Sequence, residues 1–417
     1  MNRRLRILVH SYVPVFPFHD GAGMRMFHIT RHLAKRHSCD LIQERWDWEA
    51  KTKLLGPPDA PAQWLESHFR RVWNVHHGPG ERLVYGWVWR SKELQRLLND
   101  LAIEESYDVL WSGNDTLPLY LRPKLYQGVP VLIAPTDSMH LQYKRQILRE
   151  PSLYRKFRLG AKWALYALYQ IRVMNRIKYW TMVNEVDARS MKFLSLRSEI
   201  RVIPIGVDVD YFRAREAQRD PGMMIFPGTL GPHSVNEGAA EWFVSAVWPL
   251  VQRRRPESKF VIVGRDPSPD FLDVCSKVRN LCVTGYVKDV RPFLWKAGIA
   301  VLPMRAGAGT KYKLLEAWAA GCAVVATRLA VRGIREAKHG ENVLLADDSR
   351  QMAEAIVNLI ANPSRQTALG KSGEKTVRGS YSWEEVSSQL ESYLEELVGA
   401  GSSSRRRGPL DSSGPKI

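Results

Sequence analysis

Acidic residues are scarce in this sequence. Only 43 Asp and Glu stand against 61 Lys and Arg, a formal net charge of +18. An excess of that size calls for an acidic partner: nucleic acid, anionic lipid headgroups or a phosphorylated substrate. Long apolar runs are missing too. No stretch approaches the roughly 20 apolar residues of a spanning helix, so any membrane work is done from the surface. Behind the basic start Met1-Asn-Arg-Arg-Leu-Arg6, the run Ile7-Leu-Val9 is far too short for a secretory signal. Cysteine is rare. Cys39, Cys275, Cys282 and Cys322 form no CxxC, and no His cluster completes a metal site. All four sit among apolar or helical neighbours, where cysteine acts as a small core residue. A reduced, cytoplasmic compartment is expected.

Apolar material for a core is plentiful. Hydrophobic residues make up 45% of 417 positions, and the chain carries 14 Trp. That length suits two domains. Strand and helix patterns alternate in both halves, the signature of α/β folds with doubly wound sheets. In the first half, strands are expected at Arg6–His10, Cys39–Ile42, Asp108–Trp111, Val129–Ile133 and Trp180–Asn184. In the second they are expected at Met223–Phe226, Phe260–Gly264, Cys282–Tyr286, Ile299–Leu302, Ala323–Ala326 and Val343–Ala346. The resulting division is an N-terminal domain over 1–200, a linker over 201–222 and a C-terminal domain over 223–378. A closing helix over 379–398 and a disordered basic tail over 399–417 complete it. Residues 46–89 read as irregular structure and helices.

One stretch of the second half carries the strongest chemical signal. After the apolar run Ile299–Leu302 come Arg305, Gly307, Ala308, Gly309, Thr310 and Lys311, then Lys313 and Glu316 on a short helix, then the buried run Ala323–Ala326. Glycines let backbone approach a ligand closely. Lysines at a helix N-terminus oppose the helix dipole, a placement that makes sense if an anion docks there. Glu316, three residues after Lys313, shares its face. A phosphate-binding lysine beside a carboxylate that accepts two hydroxyls fits a nucleoside diphosphate with a ribose. The same residues would also suit an ordinary Lys–Glu pair on a surface helix.

The first half repeats the device. Asp20-Gly-Ala-Gly23 precedes a helix expected over Met24–His37, with Arg25 in its first turn. The Gly21-x-Gly23 pair lacks the third glycine of a dinucleotide fingerprint. Asp137, Ser138 and His140 follow the strand Val129–Ile133, at the carboxyl edge where α/β sheets place ligands. A helix cap accounts for Ser138, and turn stabilisation for Asp208-Val-Asp210. Arg145–Trp180 is long, helical and basic, with Tyr, Trp and Leu interleaved. It could be a solvated helix packed on its own domain, contact nucleic acid, or lie in a membrane interface.

Five segments in order carry a family resemblance: Ile203–Phe212, Pro227-Gly-Thr229, Val261–Gly264, Val283–Val290 and Lys313–Thr327. Together they resemble the GT-B glycosyltransferases of family 4, and within it bacterial transferases of polysaccharide and exopolysaccharide assembly. The resemblance is specific over about 200–398. It implies two facing Rossmann-like domains with a cleft between them, a nucleotide-sugar donor, and retaining transfer to a lipid-linked or growing glycan without a divalent metal or other cofactor. Lys313 would hold the diphosphate and Glu316 the ribose; with Asp137 and His140, candidates from their place at a strand end, they make the expected catalytic set. Gly307 to Thr310 would cradle phosphate and sugar, Val287 to Val290 would lie beside the base, and Gly21 and Gly23 would line the cleft. Gly228, Asn236, Gly264, Arg305, Lys311 and Arg25 complete the expected donor contacts. Two positions depart from the family. Ala308 stands where many members carry the first glutamate of an E-x7-E pattern ending at Glu316. His233 and Asn236 stand where a basic pair is usual. A basic domain of this kind would sit peripherally on the anionic inner face of the cell membrane, with nucleic acid a weaker partner. The rivals are a nucleotide-sugar epimerase on the same fold and a non-catalytic basic binding protein with a vestigial sugar site.

Overall fold

Apolar runs of four to six residues become strands buried on both faces. Ala297–Leu302 and Ala323–Ala326 are buried at every position. The computed structural model describes residues 3–16, 21–46, 63–77, 82–85, 88–122, 124–195, 197–213, 219–232, 234–307 and 312–405. Two compact units emerge, Met1–Pro204 with Val386–Ile417, and Ile205–Glu385.

The first unit contains, in order, β1 (Arg6–Ser11), α1 (Gly21–Leu33), β2 (Ser38–Trp46), β3 (Arg71–His77), α2 (Lys92–Glu104), β4 (Val109–Ser112), β5 (Val131–Ile133), α3 (Met139–Arg149), α4 (Leu153–Arg172), β6 (Tyr179–Met182), α5 (Glu185–Lys192) and β7 (Glu199–Val202). Among the described residues its main sheet has seven strands in the order β3-β2-β1-β4-β5-β6-β7. All pair in parallel, with β1 registered against both β2 (Ile7 to Cys39) and β4 (Ile7 to Val109). Trp111, Trp180, Tyr166 and Tyr169 fill the core beside it.

The second unit contains β8 (Asp220–Pro227), α6 (Val235–Trp242), α7 (Trp248–Arg254), β9 (Lys259–Val263), α8 (Pro269–Ser276), β10 (Leu281–Val283), α9 (Arg291–Lys296), β11 (Ala297–Leu302), α10 (Tyr312–Ala319), β12 (Ala323–Ala326), β13 (Leu344–Leu345), α11 (Ser349–Ala361) and α12 (Pro363–Ser380). Its parallel sheet runs β10-β9-β8-β11-β12-β13. The last helix, α13 (Trp383–Arg405), carries the chain back to the first unit at Val386.

Several expectations need correction. Gly21 and Gly23 form the first turn of α1 rather than a loop before it. The basic stretch Arg145–Trp180 is not one helix. Pro151 lacks an amide proton and Ser152 caps the next helix through the Arg155 amide, so the chain breaks between α3 and α4. Within 201–222, Arg201 and Val202 finish β7, and Asp220 opens β8. Residues 214–218 of that segment lie outside the described residues. Cys282 is exposed, while Cys39, Cys275 and Cys322 are buried. Of the tail placed at 399–417, residues to Arg405 continue α13, and the remainder lies outside the described residues.

Candidate active site

The strand order of the second unit reverses between β8 and β11. Their carboxyl ends therefore frame the switch point where open α/β sheets take ligands. Two strand-end glycines meet there. A Cβ at Gly264 would stand 1.8 Å from the Gly228 carbonyl oxygen, so no side chain fits. A Cβ at Gly228 would stand 2.8 Å from Lys313 Nζ and 3.2 Å from Asn236 Nδ2. Bare backbone thus faces an amine. On the other side of the switch point, Gly307 has φ 113°, which glycine adopts readily and other residues rarely.

Lys313 enters from the first turn of α10. Its Nζ donates to Asn236 Oδ1 at 2.7 Å and lies 4.5 Å from the centroid of the Phe226 ring. Asn236 enters from the first turn of α6 and donates through Nδ2 to the Thr229 carbonyl at 2.7 Å. That second bond fixes the amide so that its oxygen, not its nitrogen, faces the lysine. A cation disfavoured by the local helix dipole is held in place by an amide oxygen and an aromatic face.

Glu316 lies one turn further along α10 and is partly buried. Burial pushes its carboxyl up to about 7, against the pull of the Lys313 charge. A carboxyl in that range is poised to ionise when hydroxyl donors or cations approach. Arg305 is exposed and directed to Trp242, 5.0 Å from the ring centroid. Val287 and Val290 are partly buried in the segment joining β10 to α9, where Asp289 grips Arg291 at 3.0 and 2.7 Å. Ala308, Gly309, Thr310, Lys311 and His233 lie outside the described residues.

The structure therefore brings Gly228, Asn236, Gly264 and Lys313 together in one unit. In the first unit, Arg25, Asp137 and His140 lie around the end of β5. Arg25, 1% exposed, donates from Nη1 to the Ala134 carbonyl at 2.6 Å. It braces the loop that carries Asp137 and His140. Asp137 is partly buried in that loop. Ser138 caps α3 by accepting from the Leu141 amide, and Asp208 caps a short helix by accepting from the Tyr211 amide. His140 is buried and accepts the Trp163 indole N–H on Nδ1 at 3.2 Å, which leaves the ring proton on Nε2. Burial, helped by the Lys144 charge, lowers its pKa and keeps it neutral.

Sequence reading misses a buried polar row in the first unit. His77, Glu44, His10 and Ser112 come from the carboxyl ends of the neighbouring strands β3, β2, β1 and β4. His10 lies 2.9 Å from Ser112 Oγ through Nδ1 and 3.0 Å from Glu44 through Nε2, and His77 bonds the second Glu44 oxygen. Burial alone would raise the Glu44 carboxyl, but hydrogen bonds from His10 and His77 hold it down to about 2. The one signal available to sequence was a polar residue at the end of an apolar strand.

One cluster among the described residues has the spacing of a metal site. His37, Glu391 and Glu395 offer donor atoms within 4.8 Å of one another. However, the Leu5 amide donates to His37 Nδ1 at 3.2 Å, which puts the ring proton on Nε2, 2.8 Å from Glu391. His32 and Arg36 take the other Glu391 oxygen at 3.1 and 3.0 Å. The buried carboxylate thus lies within ion-pair distance of His32, Arg36 and His37, and the cluster reads as a clasp between the end of α1 and α13.

Comparisons agree with this architecture. Residues 222–362 match the family model "Glycosyl transferases group 1". Over 131 residues the chain is 34% identical to the lipopolysaccharide core biosynthesis glycosyltransferase LpsE of Rhizobium meliloti, covering 30% of this chain and 36% of that protein. The match thus spans about a third of the curated relative's length. Among solved structures, Anabaena HepE in complex with UDP is similar at TM-score 0.63 and 13% identity, covering 94% of this chain and 100% of that one. Sucrose-phosphate synthase from Thermosynechococcus elongatus is similar at TM-score 0.64 and 16% identity, covering 95% and 100%. At these identities the likeness concerns the fold. The chain has the GT-B fold, built of two Rossmann-like α/β units.

Proposed function

We propose that this protein is a glycosyltransferase of the family-4 type, moving a sugar from a nucleoside diphosphate-sugar to a hydroxyl of a glycan or lipid-linked acceptor. The observation that carries the reading is the Lys313–Asn236 pair, set against the bare backbone of Gly228 at the switch point of the second unit. An ammonium at a strand end, with no side chain between it and the backbone, leaves room for a diphosphate beside a cation. The family-model match over 222–362 covers this site, and LpsE, similar over 131 residues, is a glycosyltransferase of lipopolysaccharide core biosynthesis.

In this reading Lys313 and the first-turn amides of α10 stabilise the charge that develops on the leaving diphosphate. Glu316 accepts the ribose hydroxyls, and its burial is offset once those donors arrive. Asn236 is a positioning residue that holds Lys313. We assign the leaving-group charge to these residues rather than to a divalent metal. Retention follows if the acceptor attacks from the face of the departing phosphate, which takes the acceptor proton.

The HepE structures hold UDP or UDP-glucose, so uridine donors are the first to try. The test is acceptor-dependent release of nucleoside diphosphate from a panel of nucleotide-sugars. Release only with acceptor present supports transfer. Conversion of the donor to an isomer without release would indicate epimerase chemistry. Failure to bind any nucleotide-sugar, with salt-sensitive binding to polyanions, would indicate a binding protein.

A further inference from the structure

The hairpin of α3 and α4 exposes an apolar surface that the first unit does not cover. Leu148 is 74% exposed, Leu153 81%, Tyr154 70% and Phe157 76%. Side chains of this size rarely stand so far into water side by side. The exposure continues along α4 through Ala161, Ala164, Leu165, Leu168 and Ile171. At 100° per residue, positions 154, 157, 161, 164, 165, 168 and 171 fall within about 120° of the helix circumference. They form one stripe. The opposite face is committed inward. Tyr166 donates to Asp115 Oδ2 at 2.8 Å, Tyr169 to the Asp115 carbonyl at 2.6 Å, and Gln170 to the Met191 carbonyl at 2.7 Å. These buried bonds fix the rotation of α4, so the stripe cannot turn into the core.

Charge decides what the stripe meets. From Met139 to Asn184 the sequence carries ten Lys and Arg (144, 145, 149, 155, 156, 158, 162, 172, 176 and 178) and one acid, Glu150. Glu150 accepts from the Ser152 amide in the hairpin turn. Arg158 is exposed at one border of the stripe, Arg155 and Lys162 are exposed further round on that side, and exposed Arg172 stands within it at the last turn. Lys156 lies on the other side. Apolar and aromatic side chains between basic borders match the boundary of an anionic bilayer, with chains sunk among acyl tails and cations at the headgroups. A polyanion such as nucleic acid would satisfy the cations and leave Leu148, Leu153 and Phe157 in water. No helix among the described residues is long and apolar enough to cross a membrane.

We infer that the α3–α4 hairpin docks the protein on anionic lipid, inserting Leu148, Leu153, Tyr154 and Phe157 and placing Arg155, Lys156, Arg158 and Lys162 at the headgroups. This surface is independent of the nucleotide site, so either assignment can fail alone.

The test is co-sedimentation of the full chain with vesicles of phosphatidylcholine, with and without phosphatidylglycerol, at physiological salt. The expected result is binding to the anionic vesicles only. The double variant Leu153→Ser/Phe157→Ser should bind at least tenfold more weakly, and Arg155→Glu/Arg158→Glu/Lys162→Glu should not sediment with them. All these positions are exposed, and each variant should retain its thermal unfolding midpoint and nucleotide affinity. No binding to anionic vesicles would overturn the inference. So would undiminished vesicle binding by the Ser double variant, or binding to single-stranded DNA that matches vesicle binding and ignores the Ser substitutions, since the partner would then be a polyanion.

Discussion

Changing Glu316 to Gln should alter nucleotide binding and protein stability in opposite directions. Burial raises the free carboxyl to about 7, while ribose hydroxyls donating to it favour the ionised form. Binding therefore requires loss of a proton below that value. Lowering the pH from 8 to 6 should weaken nucleotide affinity about tenfold, since each unit below the pKa costs a factor of ten. The Gln variant makes neutral rather than charge-assisted hydrogen bonds, a loss of about 1–2 kcal/mol. Its affinity at pH 8 should be about 5–30-fold lower and flat with pH, so the two proteins converge near pH 6. Stability moves the other way. The folded state holds the Glu316 proton to a higher pH than the unfolded state, so this group destabilises the empty protein as pH rises from about 4.5 through 7. The Gln variant should be more stable at pH 8 by about 1–3 kcal/mol, and equal to the parent near pH 4.5. Calorimetric titration and urea unfolding at both ends of the range measure the two effects. A parent whose nucleotide affinity ignores pH, or a Gln variant that keeps the pH dependence, would contradict proton-linked binding at Glu316.

Two further predictions concern the framework. Gly264→Ala places a Cβ 1.8 Å from the Gly228 carbonyl oxygen and should cost about 1–3 kcal/mol or more in urea unfolding, whereas Gly160→Ala within α4, with nothing within 4 Å of its Cβ, should stabilise by about 0.5–1 kcal/mol. Glu44, held down to about 2 by His10 and His77, stabilises the fold above about 4.5 and loses that contribution as pH falls through 2. Glu44→Gln should therefore cost about 3 kcal/mol at pH 7 and less than half of that at pH 3; an equal cost at both would contradict the ionic reading.

Sheet strands buried on both faces were legible because burial leaves a continuous apolar run, as in Ile299–Leu302. The third strand, Arg71–His77, was not, because at this sheet edge only Val75 and His77 are buried, and Arg71, Asn74, His76 and His77 break up the apolar run. Helix α12 was also missed. It carries Gly370, Gly373 and Gly379, which lower helix propensity. Packing explains two of them: a Cβ at Gly370 would stand 2.3 Å from the Gly321 carbonyl oxygen, and one at Gly373 would stand 2.3 Å from Trp318. At the site, Lys313 could be read from its defiance of the helix dipole, and Glu316 from the face it shares with that lysine. The role of Asn236 could not, since its partner lies 77 residues away. The row His77, Glu44, His10 and Ser112 was hidden for the same reason, with one residue on each of four strands that only the parallel register aligns.

The proposed function requires that the second unit hold a nucleoside diphosphate on Lys313. Calorimetric titration of UDP and other nucleoside diphosphates into the parent and into Lys313→Ala tests it directly. Lys313 is partly exposed and lies outside the core, so the variant should fold. The parent should bind at least one nucleoside diphosphate saturably and one-to-one, and the variant should bind it tenfold or more weakly. Absence of binding by the parent, or equal affinity in the variant, would contradict it.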